Sequence, residues 1–179
     1  MFESLTYAAI ALAVALVTLL VYAANKPDTF SVRRSTSIGA PPERIFPLIN
    51  NLRAMNTWIP FLEPDPNAKL DYSGPESGPG AAHSWTGNRQ VGEGRIEIAD
   101  TQPPSMVTLK LDMLKPMKAA NTVIFTLQPN GGGTIVTWAM SGHQPLIAKV
   151  MNVFINCDKM VGDQFEKGLA KLKAIAERG

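Results

Sequence analysis

Residues 121–141 read NTVIFTLQPNGGGTIVTWAMS, and this stretch decides the fold. Val123, Phe125 and Leu127 alternate with Thr122, Ile124, Thr126 and Gln128, so they share one face of a strand. Asn130-Gly131-Gly132-Gly133 supplies residues that accept positive φ, the requirement of a tight hairpin turn. Val136, Trp138 and Met140 then repeat the alternation on the returning strand. A hairpin with one apolar face must bury that face against something else.

Upstream, the same pattern recurs. Residues 106–113 put Val107, Leu109, Leu111 and Met113 on one face and Thr108, Lys110 and Asp112 on the other, and Lys115-Pro116 ends the run. Strands are expected at 91–99 and 81–86, joined by a turn at Gly87-Asn88-Arg89-Gln90. A short strand is expected at 68–72, after a stiff apolar loop whose prolines, Pro60, Pro64 and Pro66, forbid a regular helix. Residues 30–38 form a first strand. Pro41-Pro42-Glu43 then opens a helix over 42–50, with a further helical turn reaching about 56. Downstream, Ile147, Val150, Met151, Phe154, Val161, Phe165, Leu169, Leu172, Ile175 and Ala176 recur with helical period. They predict one long helix over 146–177.

Six to seven strands followed by one long helix bury both apolar faces if the sheet curls around the helix. The fold class is therefore α+β: a curved antiparallel sheet wrapped on a long C-terminal helix. Side chains do not fill all the space inside such a curl, and an internal cavity is the default ligand site.

The N-terminus adds one element. Residues 5–24, LTYAAIALAVALVTLLVYAA, carry no charge over 20 positions. As a helix they span roughly 30 Å, the thickness of a bilayer core. Tyr7 and Tyr22 sit near the ends, where amphipathic rings favour the headgroup level. The expected organisation is one transmembrane helix over 1–25 with its core at 5–24, a linker at 26–29 and a ligand-binding domain over 30–179. A cleaved signal peptide is the rival reading, with Val21-Tyr22-Ala23 as its cleavage site. Against it stand an acidic start, Met-Phe-Glu-Ser, and an apolar run longer than such peptides carry. Lys26, Arg33 and Arg34 all follow the span, and none precedes it, which favours a single-pass membrane protein with its domain in the cytoplasm.

Composition narrows the rest. The chain has 179 residues, 17 Lys+Arg against 15 Asp+Glu, and a formal net charge of +2. With no basic block, nothing points to nucleic acid. The single Cys excludes an intramolecular disulfide framework and a Cys-based zinc site. Two His far apart, with no carboxylate cluster at ligand spacing, give no metal site, and no cofactor is called for.

Three motifs carry a family resemblance. Ile38-Gly39-Ala40-Pro41-Pro42-Glu43-Arg44-Ile45-Phe46 follows the first strand, Gly80 to Asn88 and Val91-Gly92-Glu93-Gly94 lie in the middle, and Gly131-Gly132-Gly133-Thr134-Ile135-Val136-Thr137-Trp138 closes the hairpin. Together they resemble the START-like, Bet v 1-like or SRPBCC superfamily, in its bacterial polyketide cyclase/dehydrase-like subgroup. The resemblance implies a helix-grip fold and a hydrophobic ligand or lipid as partner. It leaves three functions open: a carrier, a cyclase or dehydratase working by acid–base chemistry, and a module binding a partner protein.

Candidate residues follow from parity. His83 shares a strand face with Ala81 and Trp85, and is a candidate general base or orienting donor. The alternative is a wall histidine without catalytic work. Asp158 lies beside the apolar stripe of the last helix, where it would hold a ligand's polar head or act with His83; otherwise it reaches solvent. Glu93 and Arg95 have the opposite parity to Ile96 and Ile98 and should face outward. The pliable apolar wall is expected from Trp58, Trp85, Leu111, Met113, Phe125, Trp138, Met140, Met151 and Phe154, with Met106, Met117, Met160 and Phe165 on the same inner faces. The loop 58–62 and the segment 114–118 are apolar and exposed by position. They are candidates for capping the cavity mouth or facing a bilayer.

Overall fold

The computed structural model describes residues 2–154 and 156–178, with side chains from 6 onward. Met1, Ile155 and Gly179, which the sequence reading assigned to the anchor, the last helix and the end of the domain, lie outside the described residues.

The chain runs as α1 (Phe2–Ala24), β1 (Thr29–Ile38), α2 (Pro42–Asn50), α3 (Leu52–Met55), β2 (Lys69–Ser73), β3 (Ala82–Thr86), β4 (Glu93–Gln102), β5 (Met106–Lys115), β6 (Ala119–Asn130), β7 (Gly133–His143), α4 (Leu146–Phe154) and α5 (Cys157–Arg178). A 3₁₀ turn, Pro60–Leu62, lies in the proline-rich loop. The seven strands form one antiparallel sheet in the order β1-β7-β6-β5-β4-β3-β2. Each strand from β2 to β7 pairs with its sequence neighbour, and β1 closes against β7.

The hairpin that set the fold forms as expected. Phe125 stands opposite Trp138 and Val123 opposite Met140. Gly131 and Gly132 take φ of 57° and 89° in the turn, a region that suits glycine. Val123, Phe125, Leu127, Val136 and Trp138 are all buried. They pack on the α5 stripe of Phe165, Leu169, Leu172 and Ala176. At one end of the sheet, Ile45 and Ile49 of α2 fill the core together with Ile38 and Leu127. The Thr134 hydroxyl donates to the Ala40 carbonyl at 2.7 Å and fixes the strand-to-helix corner there. Asn51 caps α3, its Oδ1 accepting from the N–H groups of Arg53 and Ala54.

One expectation needs correction. The long helix over 146–177 is two helices, with a break before Cys157. Asn156 starts α5 afresh, its Oδ1 accepting from the Lys159 N–H at 2.9 Å. The apolar period hid the break, because Phe154 and Val161 are seven residues apart and stay in phase on either side.

Helix α1 is long and apolar enough to cross a membrane over Thr6–Ala24, alone among the helices of the described residues. Its side chains are exposed along nearly its whole length, while Ala23 near its end is fully buried. There α4 packs against it. From Ala24 the linker leads straight into β1.

Candidate functional site

The curl of the sheet encloses a cavity of about 270 Å³ between β3–β7, α5 and the proline-rich loop. Its wall is set by strand parity. His83 and Trp85 of β3, Ile96 of β4, Leu111 and Met113 of β5, Val123 and Phe125 of β6, and Trp138 and Met140 of β7 all point inward. Val161 and Phe165 close it from α5, and Ile59, Phe61 and Leu62 from the loop.

An aromatic box forms the back of this cavity. Trp138 stacks on Phe165, and Phe125 lies 5.0 Å from Trp138. Trp58 and Phe61 meet Trp138 edge-on at 5.6 and 6.0 Å. Gly168 permits the stack, since a Cβ there would lie 2.8 Å from Trp138 Cζ3. Gly94 does the same for Trp85, whose ring occupies the space a side chain would need.

Polar atoms in this apolar wall are few, and their pairing is uneven. The Trp58 indole N–H donates to the Leu48 carbonyl at 2.9 Å, and that of Trp85 to the Val91 carbonyl at 3.3 Å. Trp138 Nε1 and His83 Nδ1 are buried with no protein partner. Asn121 Oδ1 is likewise unpartnered and sits against Gly142 on the neighbouring strand. An unmet buried polar group costs about 1–3 kcal/mol. All three groups belong to residues that line the same cavity.

His83 is 4% exposed, between the rings of Tyr72 and Trp85. Burial pushes its imidazole down from 6.5 to about 4, so it is neutral at neutral pH. No Asp or Glu lines the cavity among the described residues. Proton-transfer chemistry there would rest on His83 with no carboxylate partner, and the His83–Asp158 pairing considered from the sequence is not assembled.

Asp158 lies elsewhere, in the first turn of α5 and paired with Arg34. Arg34 is an inward-parity residue on the edge strand β1 and extends toward α5. It meets Asp158 at 3.0 Å and Glu166 at 2.9 Å, and its guanidinium occupies the space beside Gly162. The Asp158 side chain is 60% exposed. Met151 and Phe154 are on α4, and both are exposed, as are Met117 and Met160. The break before α5 turns α4 away from the cavity. Trp58 is fully buried one layer behind the wall, where it supports Phe125 and Trp138. His83, Trp85, Leu111, Met113, Phe125, Trp138 and Met140 do come together. Glu93 and Arg95 face outward, paired with Lys115 and Glu97.

The sequence reading missed Val161, Asn121, Met55 and Asn56 as wall residues. Val161 was within the helical stripe already read. Asn121 has the parity of Val123 and was recoverable on that ground. Met55 and Asn56 come from α3, whose packing no periodicity reveals.

Register also orients the cavity. Thr29 pairs with His143, Asn121 with Gly142, Met113 with Ala119 and Glu93 with Lys115. The start of β1, just after α1, therefore shares one end of the sheet with Met113, Asn121 and the β5–β6 turn. The core is filled at the opposite end, so the cavity lies toward the α1 end.

Known structures share this architecture. A structural-genomics protein from Mesorhizobium loti superposes with a TM-score of 0.61 at 16% identity, over 83% of this chain and 98% of that one. A major latex-like protein from Panax ginseng gives 0.58 at 14% identity, over 84% and 99%. The Aha1 dimer from Colwellia psychrerythraea gives 0.57 at 17% identity, over 80% and 93%. At these identities the likeness is one of fold, the Bet v 1-like helix grip. Among curated proteins none matches the chain. The sequence is decisive where structure alone is not: with residues 29–177 matching its model, the chain belongs to the family described as polyketide cyclase/dehydrase and lipid transport.

Proposed function

We propose that the protein is a membrane-anchored binding protein that holds one small hydrophobic molecule, such as a single-chain lipid, between the sheet and α5. One observation carries this reading: an apolar cavity lined by Trp138, His83 and Asn121, each with a buried polar atom that has no protein partner. The apolar wall supplies affinity, and a polar end on the ligand would meet one of these groups. Size restricts the class. About 270 Å³ lies just below the roughly 300–1,000 Å³ of small-molecule pockets. That suits one acyl chain or a compact ring system better than a two-chain phospholipid.

The membrane reading draws support from α1, uncharged over Thr6–Ala24, and from Tyr22 at its end with Lys26 over the ring. Lys26, Arg33 and Arg34 follow it and favour a cytoplasmic domain. The end of β5 and the β5–β6 turn carry exposed Leu114 and Met117 interleaved with Lys115 and Lys118, at the same sheet end as α1. The cavity then opens toward the bilayer, from which an apolar ligand would enter.

The test is mass spectrometry of what solvent extracts from the purified full chain, beside Leu111→Trp, which fills the cavity from β5. The reading expects a stoichiometric hydrophobic molecule from the native chain and its loss from the variant. The same extract from both, or none from either together with no thermal stabilisation by single-chain lipids, would overturn it.

A further inference from the structure

Among the described residues, α4 is the one helix of the domain whose apolar side chains are not used by the core. Ile147, Met151 and Phe154 are spaced by four and three residues, so they share one face, and all three are exposed, Phe154 at 74%. Lys149 projects the other way, about 200° round the helix from Ile147. It is 4% exposed. Its ammonium donates to the Lys26 carbonyl at 2.7 Å and to Asp28 Oδ1 at 2.5 Å. Both acceptors lie just past the end of α1. An apolar helix is thus tied by its single cation to the exit of the membrane-length helix, and packs on that helix where Ala23 is buried.

The place of this tie identifies what covers the exposed face. Lys149 reaches the Lys26 carbonyl and Asp28, directly after the last residue of α1, so α4 is held beside the point where α1 ends. With α1 across a bilayer, that point lies at the bilayer surface, where Ile147 and Met151 are exposed and Phe154 lies beside Phe30 at the start of β1.

We infer that α4 lies in the bilayer surface as a second membrane contact, with Ile147, Met151 and Phe154 inserted and Lys149 holding it to the α1 exit. This rests on the anchor reading of α1. Two contacts fix the domain's orientation, where one helix and a short linker would let it swing. The domain is then held with its cavity end against the lipid. Apolar burial of this kind places an interfacial helix about 5–10 Å below the headgroups.

The test uses the full chain in phosphatidylcholine/phosphatidylglycerol nanodiscs, with Cys157→Ser and one nitroxide label at Ile147→Cys or Phe154→Cys. Collision with oxygen and with a water-soluble nickel chelate reads depth. Leu12→Cys reports on α1, and Ser77→Cys, in an exposed loop at the opposite sheet end, reports on water. The expected result is a depth of about 5–10 Å at both α4 positions and a greater depth at Leu12. Labels at 147 and 154 as chelate-accessible as Ser77, with Leu12 still deep, would overturn the α4 inference and leave the anchor standing. A water-exposed Leu12 would overturn both. Spin–spin broadening at 154 that vanishes on dilution with unlabelled chain would mean that a second copy covers the face, and would also overturn it.

Discussion

The Trp138 indole lies on the Phe165 ring with centroids 4.1 Å apart and planes 8° from parallel. This contact joins the central hairpin to the last helix and forms the back of the cavity. A near-parallel aromatic pair contributes about 0.5–1.5 kcal/mol beyond its buried area. It depends on Gly168, one turn along α5.

Gly168→Ala should therefore be destabilising, although alanine is the better helix former. The new methyl would meet Trp138 Cζ3 at 2.8 Å and Pro60 Cδ at 3.2 Å. Overpacking of this kind costs about 1–3 kcal/mol, which exceeds the roughly 1 kcal/mol alanine gains in a helix. A denaturant midpoint at or above that of the native chain would contradict the packing described.

His83 should make stability depend on pH in a defined window. Its folded value of about 4 lies below the ordinary 6.5 because burial disfavours the charged ring. Between those values the unfolded chain binds a proton that the folded chain refuses. The stability is fully present above pH 6.5 and is lost as pH falls toward 4, at up to about 1.4 kcal/mol per pH unit. His83→Gln removes this slope. Urea titrations of both chains across the window check it, and parallel pH profiles would contradict it.

Asp28→Ala should loosen α4 and leave the cavity intact. It removes the carboxylate from a nearly buried ammonium, which keeps only the Lys26 carbonyl. The Lys149 hydrogen bond, first, and its charge hold the Asp28 carboxyl below its usual range. Amide hydrogen exchange should accelerate across 146–154 and stay unchanged in β6 and β7. Equal rates along α4 in both chains would contradict the tie.

The sheet was legible in the sequence because one face of each strand is buried, which forces period-two alternation on residues such as Val123, Phe125 and Leu127. The inward parity of His83 followed from Ala81 and Trp85 in the same way. The position of Asp158 was not legible, because it depends on Arg34, more than a hundred residues earlier and brought close only when β1 closes on β7. An inward-parity Arg on an edge strand was the available sign that carboxylates on another element would be needed. The break before α5 was hidden by apolar residues that remain in phase across it. Their burial differs all the same: Phe165 faces the core and Phe154 does not.

The three indoles offer the most direct test of the account's central claim, that the cavity takes a single-chain molecule with a polar end. Those of Trp58 and Trp85 donate to protein carbonyls, and that of Trp138 has no protein acceptor. The measurement is the nitrogen-15 indole spectrum of the full chain with and without dodecanoic acid. The account predicts that the Trp138 indole resonance moves furthest and that its N–H becomes the most protected from exchange by the ligand. A Trp138 resonance that stays in place while dodecanoic acid binds elsewhere, or does not bind, would contradict it.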